Sequence, residues 1–158
     1  MPPNQSAQRQ DPVLTSFFKV SIAIPNLPAS AAALFRSVSG LKIESDVVDY
    51  REGGLNGASR KLVGGVKWPN LVFKRGLTRD TAFIQWRLSW LDDNSGRKLK
   101  RVSGSIVQLD HDLTTAIHTW AFAGAWPVLW EGPEYDASKG ELAMETLEIA
   151  HEGLTLKA

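Results

Sequence analysis

The feature that most constrains this chain is a period of two. In FFKVSIAI, residues 17–24, Phe18, Val20, Ile22 and Ile24 fall on one side of an extended backbone, and Lys19 and Ser21 on the other. Such alternation fits a half-buried strand. It returns from Leu34 to Tyr50, interrupted at Ser39 and Gly40, with Leu41, Ile43, Val47 and Tyr50 supplying the apolar side less regularly, which predicts two strands or one bent at Gly40. Asn70 to Lys74 reads as a short strand and Arg101 to Leu109 as a strand of mixed faces. From His118 onward, Trp120, Phe122, Trp126, Val128 and Trp130 share one parity, with Thr119, Ala121, Ala123 and Ala125 on the other. Gly124 interrupts that row, and Pro127 suggests a bulge or an edge. Leu147 and Ile149 face one way. Leu154 and Leu156 have switched parity, which a one-residue bulge at Glu152 and Gly153 would realign.

One segment has the helical period. In TRDTAFIQWRLSWL, residues 78–91, Phe83, Trp86 and Trp90 form one flank and Ile84, Leu88 and Leu91 the next. The apolar arc is wide, so a largely buried helix is expected. Thr78 is the expected N-cap, Asp80 suits the first turn, and Asp92 to Gly96 closes the helix. Pro25 and Pro28 close the first strand. The fold class that follows is mainly β: an antiparallel barrel or sandwich of two packed sheets with one buried α-helix. Phe83, Trp86, Trp90, Trp120 and Trp126 are its expected core. Residues 1–13 read as a flexible polar arm and 14–158 as a single domain.

Bulk properties narrow the function. The net charge of +1 recommends neither nucleic acid nor an acidic membrane as partner. The absence of cysteine removes thiolate nucleophiles and Cys-ligated zinc. The N-terminus lacks the apolar core of a secretory signal and no apolar run is long enough to span a bilayer, so cytoplasmic synthesis without membrane insertion is expected. Asp110, His111 and Asp112 with His118 match no metal-site spacing and read as a polar turn. His151-Glu152 lacks the second histidine of a zincin helix. Gly53, Gly54 and Gly57 miss the phosphate-loop spacing, and no G-x-S-x-G occurs. No catalytic site, cofactor site or metal site is therefore expected, and the chain is not read as an enzyme. The tryptophan row leaves open a monomeric β-sandwich module that stacks sugars, although an aromatic row at strand period is more often core.

DYREGGLNGASRKLVGGVKWPN, Asp49 to Asn70, is the segment that this bland reading leaves over. Asp46, Asp49 and Glu52 lead in, with Tyr50 and Arg51 among them. Glycines form the tip, and Arg60, Lys61 and Lys67 lead out. Long connections are usually functional or disordered. A loop with separated acidic and basic limbs can reach a neighbour and pair with its opposite sign. Repeated from copy to copy, such a contact makes a ring or a filament.

VSGLKIESDVVDYREGG (38–54), RKLVGGVKWPNLVFKRGLT (60–78) and AWPVLWEGPEYDASKGELAMETLEIAHEGL (125–154) resemble the inner tube protein of contractile tails. This is the phage tail tube family, in the branch used by bacterial contractile injection particles. The resemblance runs from about Phe17 to Leu156, with Val63 standing where many relatives carry proline. It implies a two-sheet fold akin to the type VI secretion tube protein, and hexameric rings stacked into a hollow tube. The excursion around 46–68 would contact an adjacent ring or subunit. A sheath outside, baseplate and cap proteins at the ends, and cargo or a tape-measure protein in the lumen are the implied partners. Assembly would take place in the bacterial cytoplasm, within a particle that is released or membrane-anchored. A tail tube of a contractile phage or prophage, conducting DNA, is the alternative. Candidates for the lumen face are the polar sides of strands: Lys19, Ser21, Arg101, Ser103, Ser105 and Glu148.

Overall fold

The computed structural model describes residues 14–24, 35–51, 53–54, 59–91 and 100–157. The expectations for the arm 1–13, Pro25, Pro28, Leu34, Glu52, Gly57 and Asp92 to Gly96 lie outside the described residues. Among the described residues, nine strands and one helix follow in the order β1 (Phe18–Ile22), β2 (Phe35–Ser39), β3 (Glu44–Tyr50), β4 (Arg60–Lys67), β5 (Leu71–Gly76), α1 (Ala82–Ser89), β6 (Val102–Leu109), β7 (Ala116–Glu131), β8 (Met144–Ala150) and β9 (Gly153–Lys157).

Seven strands form one hydrogen-bonded surface that folds into two layers at β7. The first half of β7 pairs with β6 and β9, and β6 pairs with β1. Its second half pairs with β8, which pairs with β5, which pairs with β2. All of these pairings are antiparallel. β3 and β4 form a separate two-stranded hairpin.

β7 serves both layers because it turns at Gly124. That residue has φ 65°, a left-handed conformation that favours glycine; the nearest atom to a Cβ there is the carboxylate end of the exposed Glu152 side chain, which can move aside. The aromatic row is therefore not one continuous face. Phe122 is buried before the turn and Ala125 and Pro127 after it, so the buried parity changes. A second register shift, between Pro127 and Leu129, fits the bulge expected at Pro127.

The parity change near Gly153 has a different cause from the expected bulge. β8 belongs to the second layer and β9 to the first, so the chain crosses between layers at His151 and Glu152. Leu147, Ile149 and Leu154 are buried, whereas Leu156 is exposed. The core lies between the layers: Val20, Ile22, Ile106, Phe122 and Leu154 from one side, Leu71, Phe73, Leu147 and Ile149 from the other.

The helix starts later than expected. Asp80 Oδ1 accepts from the Ala82 N–H at 3.0 Å, while Thr78 Oγ1 accepts only from Asp80 N–H at 3.3 Å. The N-cap is Thr81, without a side-chain cap bond, so Thr78 is not the cap and Asp80 precedes the first turn instead of sitting in it, although its carboxylate accepts from the first helical N–H. Phe83 and Trp86 are buried, but Leu88 and Leu91 are exposed, so the helix buries one flank rather than a broad arc. Its flank meets β7, where Trp90 stacks on Trp126 at 5.6 Å. Trp90 and Trp120 are only partly buried against the core, and Trp126 is half-buried in that stack.

Beneath α1 lies a buried ionic pair. Arg75 and Glu145, opposite each other on β5 and β8, are each 3% exposed and meet at 2.5 Å. Trp130 Nε1 donates to the other Glu145 oxygen at 2.9 Å, and the guanidinium lies 3.8 Å above the Phe83 ring. A buried charge requires such partners, and the guanidinium Nη2 has only the Asp80 carboxylate at 3.6 Å, beyond hydrogen-bond distance.

Candidate functional site: the hairpin and the polar sheet face

The excursion read as a loop is a β-hairpin. β3 and β4 run antiparallel with Glu44 opposite Lys67, Asp49 opposite Lys61 and Tyr50 opposite Arg60. A register shift between Ser45 and Val47 marks a bulge. Asp46, Asp49, Tyr50, Arg60, Lys61 and Lys67 are all on these strands, Arg51 follows β3, and Glu52 is outside the described residues. The limbs of opposite sign face each other across the hairpin. Lys67 Nζ lies 2.7 Å from Asp46 Oδ1. That hydrogen bond, and then the Asp46 charge, hold the Lys67 ammonium above its ordinary value of 10.5. Lys42 pairs with Glu44 nearby.

The root of the hairpin is fixed to the body. Gly40 has φ 94°, and a Cβ there would lie 2.1 Å from the Asn70 carbonyl oxygen. Asn70 Nδ2 donates to Glu148 Oε1 at 2.7 Å. The buried His151 ring lies between two carbonyls, with Nε2 3.0 Å from the Pro69 oxygen and Nδ1 3.1 Å from that of Gly153. Trp68 lies against it, with ring centres 6.0 Å apart. His151 is thus a root clamp.

Leu41, Ile43, Val47 and Tyr50, expected as the apolar side of this run, are all exposed, since among the described residues no layer of the sandwich covers the hairpin. Val48, Leu62, Val63 and Val66, which the sequence reading does not single out, are exposed as well. The signal was present: two adjacent apolar residues in a strand, Val47-Val48 and Leu62-Val63, place one on each face.

The lumen candidates divide. Ser21, Ser105, Ala121 and Thr155 lie in one cross-strand row of the first layer, and Lys19, Val107, Thr119 and Lys157 in the next. Ser103 is exposed and shares the parity of Ser105, and Arg101, just before β6, pairs with Glu152. Glu148 is on the second layer and bonded to Asn70, so it does not share that face. The first layer presents β1 and β9 as its outer strands. Three antiparallel steps separate them, so they run in opposite directions.

The turn at residues 110–112 is accounted for locally. Asp112 accepts from the N–H groups of Thr114 and Thr115 at 2.9 and 2.8 Å and from the Thr115 hydroxyl at 2.5 Å, which depresses its pKa. Asp110 accepts from the His111 N–H at 2.7 Å, and His118 Nδ1 lies 3.1 Å from Gln108 Oε1. Among the described residues, no three His, Cys, Asp or Glu side chains converge as a metal site would need, and no helix is long and apolar enough to cross a membrane.

A sandwich with one small-residue polar face, open edges on that sheet and a projecting apolar arm has the anatomy of an assembly subunit. The chain belongs to the family of the T4-like virus tail tube protein gp19, whose model matches residues 15–155. In fold it is similar to a chain of the sheath–tube complex of an extracellular contractile injection system, PVC, in the extended state. That likeness has 23% identity, covers 93% of this chain and 92% of the other, and has a TM-score of 0.74. A chain of the baseplate of the anti-feeding prophage AFP is similar at 23% identity, 94% and 97% coverage and a TM-score of 0.76. Hcp1 from Flavobacterium johnsoniae is a more distant likeness, at 14% identity, 89% and 94% coverage and a TM-score of 0.53. No curated protein matches the chain.

Proposed function

We propose that this chain is the structural inner tube subunit of a contractile injection machine. Copies close into hexameric rings, and the rings stack into a hollow tube inside a sheath. Contraction of the sheath drives the tube through a target envelope. The subunit supplies stiffness and a bore, and cargo or a tape-measure protein occupies the lumen. Baseplate and cap proteins hold the ends, and the particle is built in the bacterial cytoplasm.

Membership of a tail tube family over nearly the whole chain is the observation that carries this reading. The sheath–tube and baseplate settings of the similar folds support the injection branch. The first layer supports a lumen wall. The two cross-strand rows through Ser21 and Lys19 hold small residues, Val107 and two lysines, the Arg101–Glu152 pair lies beside β6, and the oppositely directed outer strands let one copy's β1 pair with the next copy's β9. Such pairing also removes the hazard of open edges. Repeated weak contacts around each ring add by multivalency.

The family model is that of a virus tail tube protein, so a phage tail tube is the alternative that shares the same subunit architecture. Neighbouring genes separate the two: capsid genes mark a phage, an ATPase and toxin genes an injection particle. Electron microscopy of the purified chain under crowded conditions tests the shared claim. Six-fold rings or hollow tubes are expected, and monomers at every concentration would overturn it.

A further inference from the structure

We propose that His151 is held as an imidazolium in the folded chain, and that loss of one of its two ring protons loosens the joint from which the β3–β4 hairpin hangs. This joint lies within one chain, so it stands whether or not copies assemble.

The charge follows from the partners of the ring. Nε2 lies 3.0 Å from the Pro69 carbonyl oxygen and Nδ1 lies 3.1 Å from that of Gly153. A carbonyl oxygen accepts and does not donate. A neutral imidazole has one N–H and one lone pair, whereas an imidazolium has two N–H groups. In either neutral tautomer, one nitrogen would turn its lone pair toward an oxygen lone pair at hydrogen-bond distance. Both groups would then be unpaired. Only the doubly protonated ring donates on both sides. The residue is 7% exposed, so water does not readily replace a lost partner.

The surroundings suit a cation held by dipoles. The Trp68 ring centre lies 6.0 Å from that of His151, at the reach of a cation–π attraction, and Phe122 of β7 closes the site at 6.4 Å. The charged groups of the neighbouring elements have partners of their own. Glu152, next in the chain, pairs with Arg101 before β6. Glu148 of β8 accepts from Asn70, and Lys67 at the end of β4 pairs with Asp46. The ring itself is bonded to two carbonyls.

Position turns this protonation into a latch. Pro69 lies on the segment that returns from β4 to β5, and Gly153 opens β9 just after the chain crosses between layers. His151 therefore ties the return limb of the hairpin to that crossing. The two contacts differ in span: Gly153 is 2 positions away and Pro69 is 82. A contact closed by a short stretch of chain costs less entropy to keep than one closed by a long stretch. When one proton leaves, the ring keeps Gly153 and releases Pro69. The joint is thus firm at low pH and loosens as pH rises through the titration of His151.

The experiment follows the full-length dispersed chain, labelled with ¹⁵N, from about pH 5 to about pH 9, a range that brackets histidine titration. His151→Gln identifies the His151 signals, and His111 and His118, whose rings meet Asp110 and Gln108, serve as references. Below its titration step, both ring nitrogens of His151 are expected to carry protons. Above it, Nε2 is expected to lose its proton. Amide exchange at Trp68 and Asn70 should rise in the same step by roughly threefold or more, once its intrinsic increase with pH is divided out. The amides of β8 should show no such step, and the step should vanish in His151→Gln. A ring that keeps one protonation state over the whole range, neutral or charged, would overturn the proposal even if the variant does not fold. So would a titration of His151 that leaves the exchange of Trp68 and Asn70 unmoved.

Discussion

Phe73 and Val63 sit on strands ten positions apart and differ almost completely in exposure, at 1% and 88%. Phe73 belongs to a layer packed against another layer, whereas Val63 belongs to a ribbon with no covering layer. Both are apolar residues in extended backbone. What separates them is whether the cover comes from the same chain. The body closes around its own core and fixes the root of the arm. The arm carries apolar residues that the described residues of its own chain leave exposed.

That contrast sets the order of expected effects. Phe73→Ala should destabilise the dispersed chain by ~3–5 kcal/mol, as removal of a buried aromatic does. Val63→Thr should change the same denaturant-unfolding free energy by less than ~0.5 kcal/mol, yet reduce the sedimentable assembled fraction. Equal effects of the two on unfolding would erase the distinction between body and arm. Gly40→Ala acts at the joint. Its φ of 94° and the Asn70 oxygen at 2.1 Å from a Cβ both oppose a side chain, and strain of this kind costs ~1–3 kcal/mol. The loss should appear in thermal unfolding of the dispersed chain, and an unchanged midpoint would mean that the root is not clamped.

The smallest effect concerns pH. The folded pKa of Lys67 is raised by Asp46. The contribution of the pair is therefore complete below the ordinary lysine value and is lost as pH rises through the higher folded value. The ammonium is exposed, so salt screens the pair. Titration of Lys67 by NMR should show a midpoint above 10.5 that returns toward it in Asp46→Asn. A Lys67 that titrates at or below 10.5 in the native chain would break the account of the charges as paired within the arm.

Much of the fold was legible because the period of two is a direct consequence of one buried sheet face. β1 follows it: Val20 and Ile22 are buried while Lys19 and Ser21 are exposed. The switch in β7 was not, because Gly124 changes the buried parity without changing the spacing of the aromatics. Nor was the crossing at His151 and Glu152, since a parity change looks the same whether a strand bulges or moves to the other layer. Arg75 and Glu145 escaped notice because their pairing joins positions 70 apart and neither looks apolar. In the arm Val47 reads as apolar, but that its side stays exposed was not legible. A hydrophobic residue that awaits a second chain has the same local pattern as one that awaits the core of its own.

Hydrogen exchange on dispersed and assembled chain, followed at the amides of 44–50 and 60–67, tests most directly whether other copies supply the cover. The account predicts rapid exchange in the dispersed arm and strong protection in the assembly, with the amides of β5 and β8 protected in both. An arm that exchanges equally fast in both states, inside tubes that are otherwise intact, would contradict it.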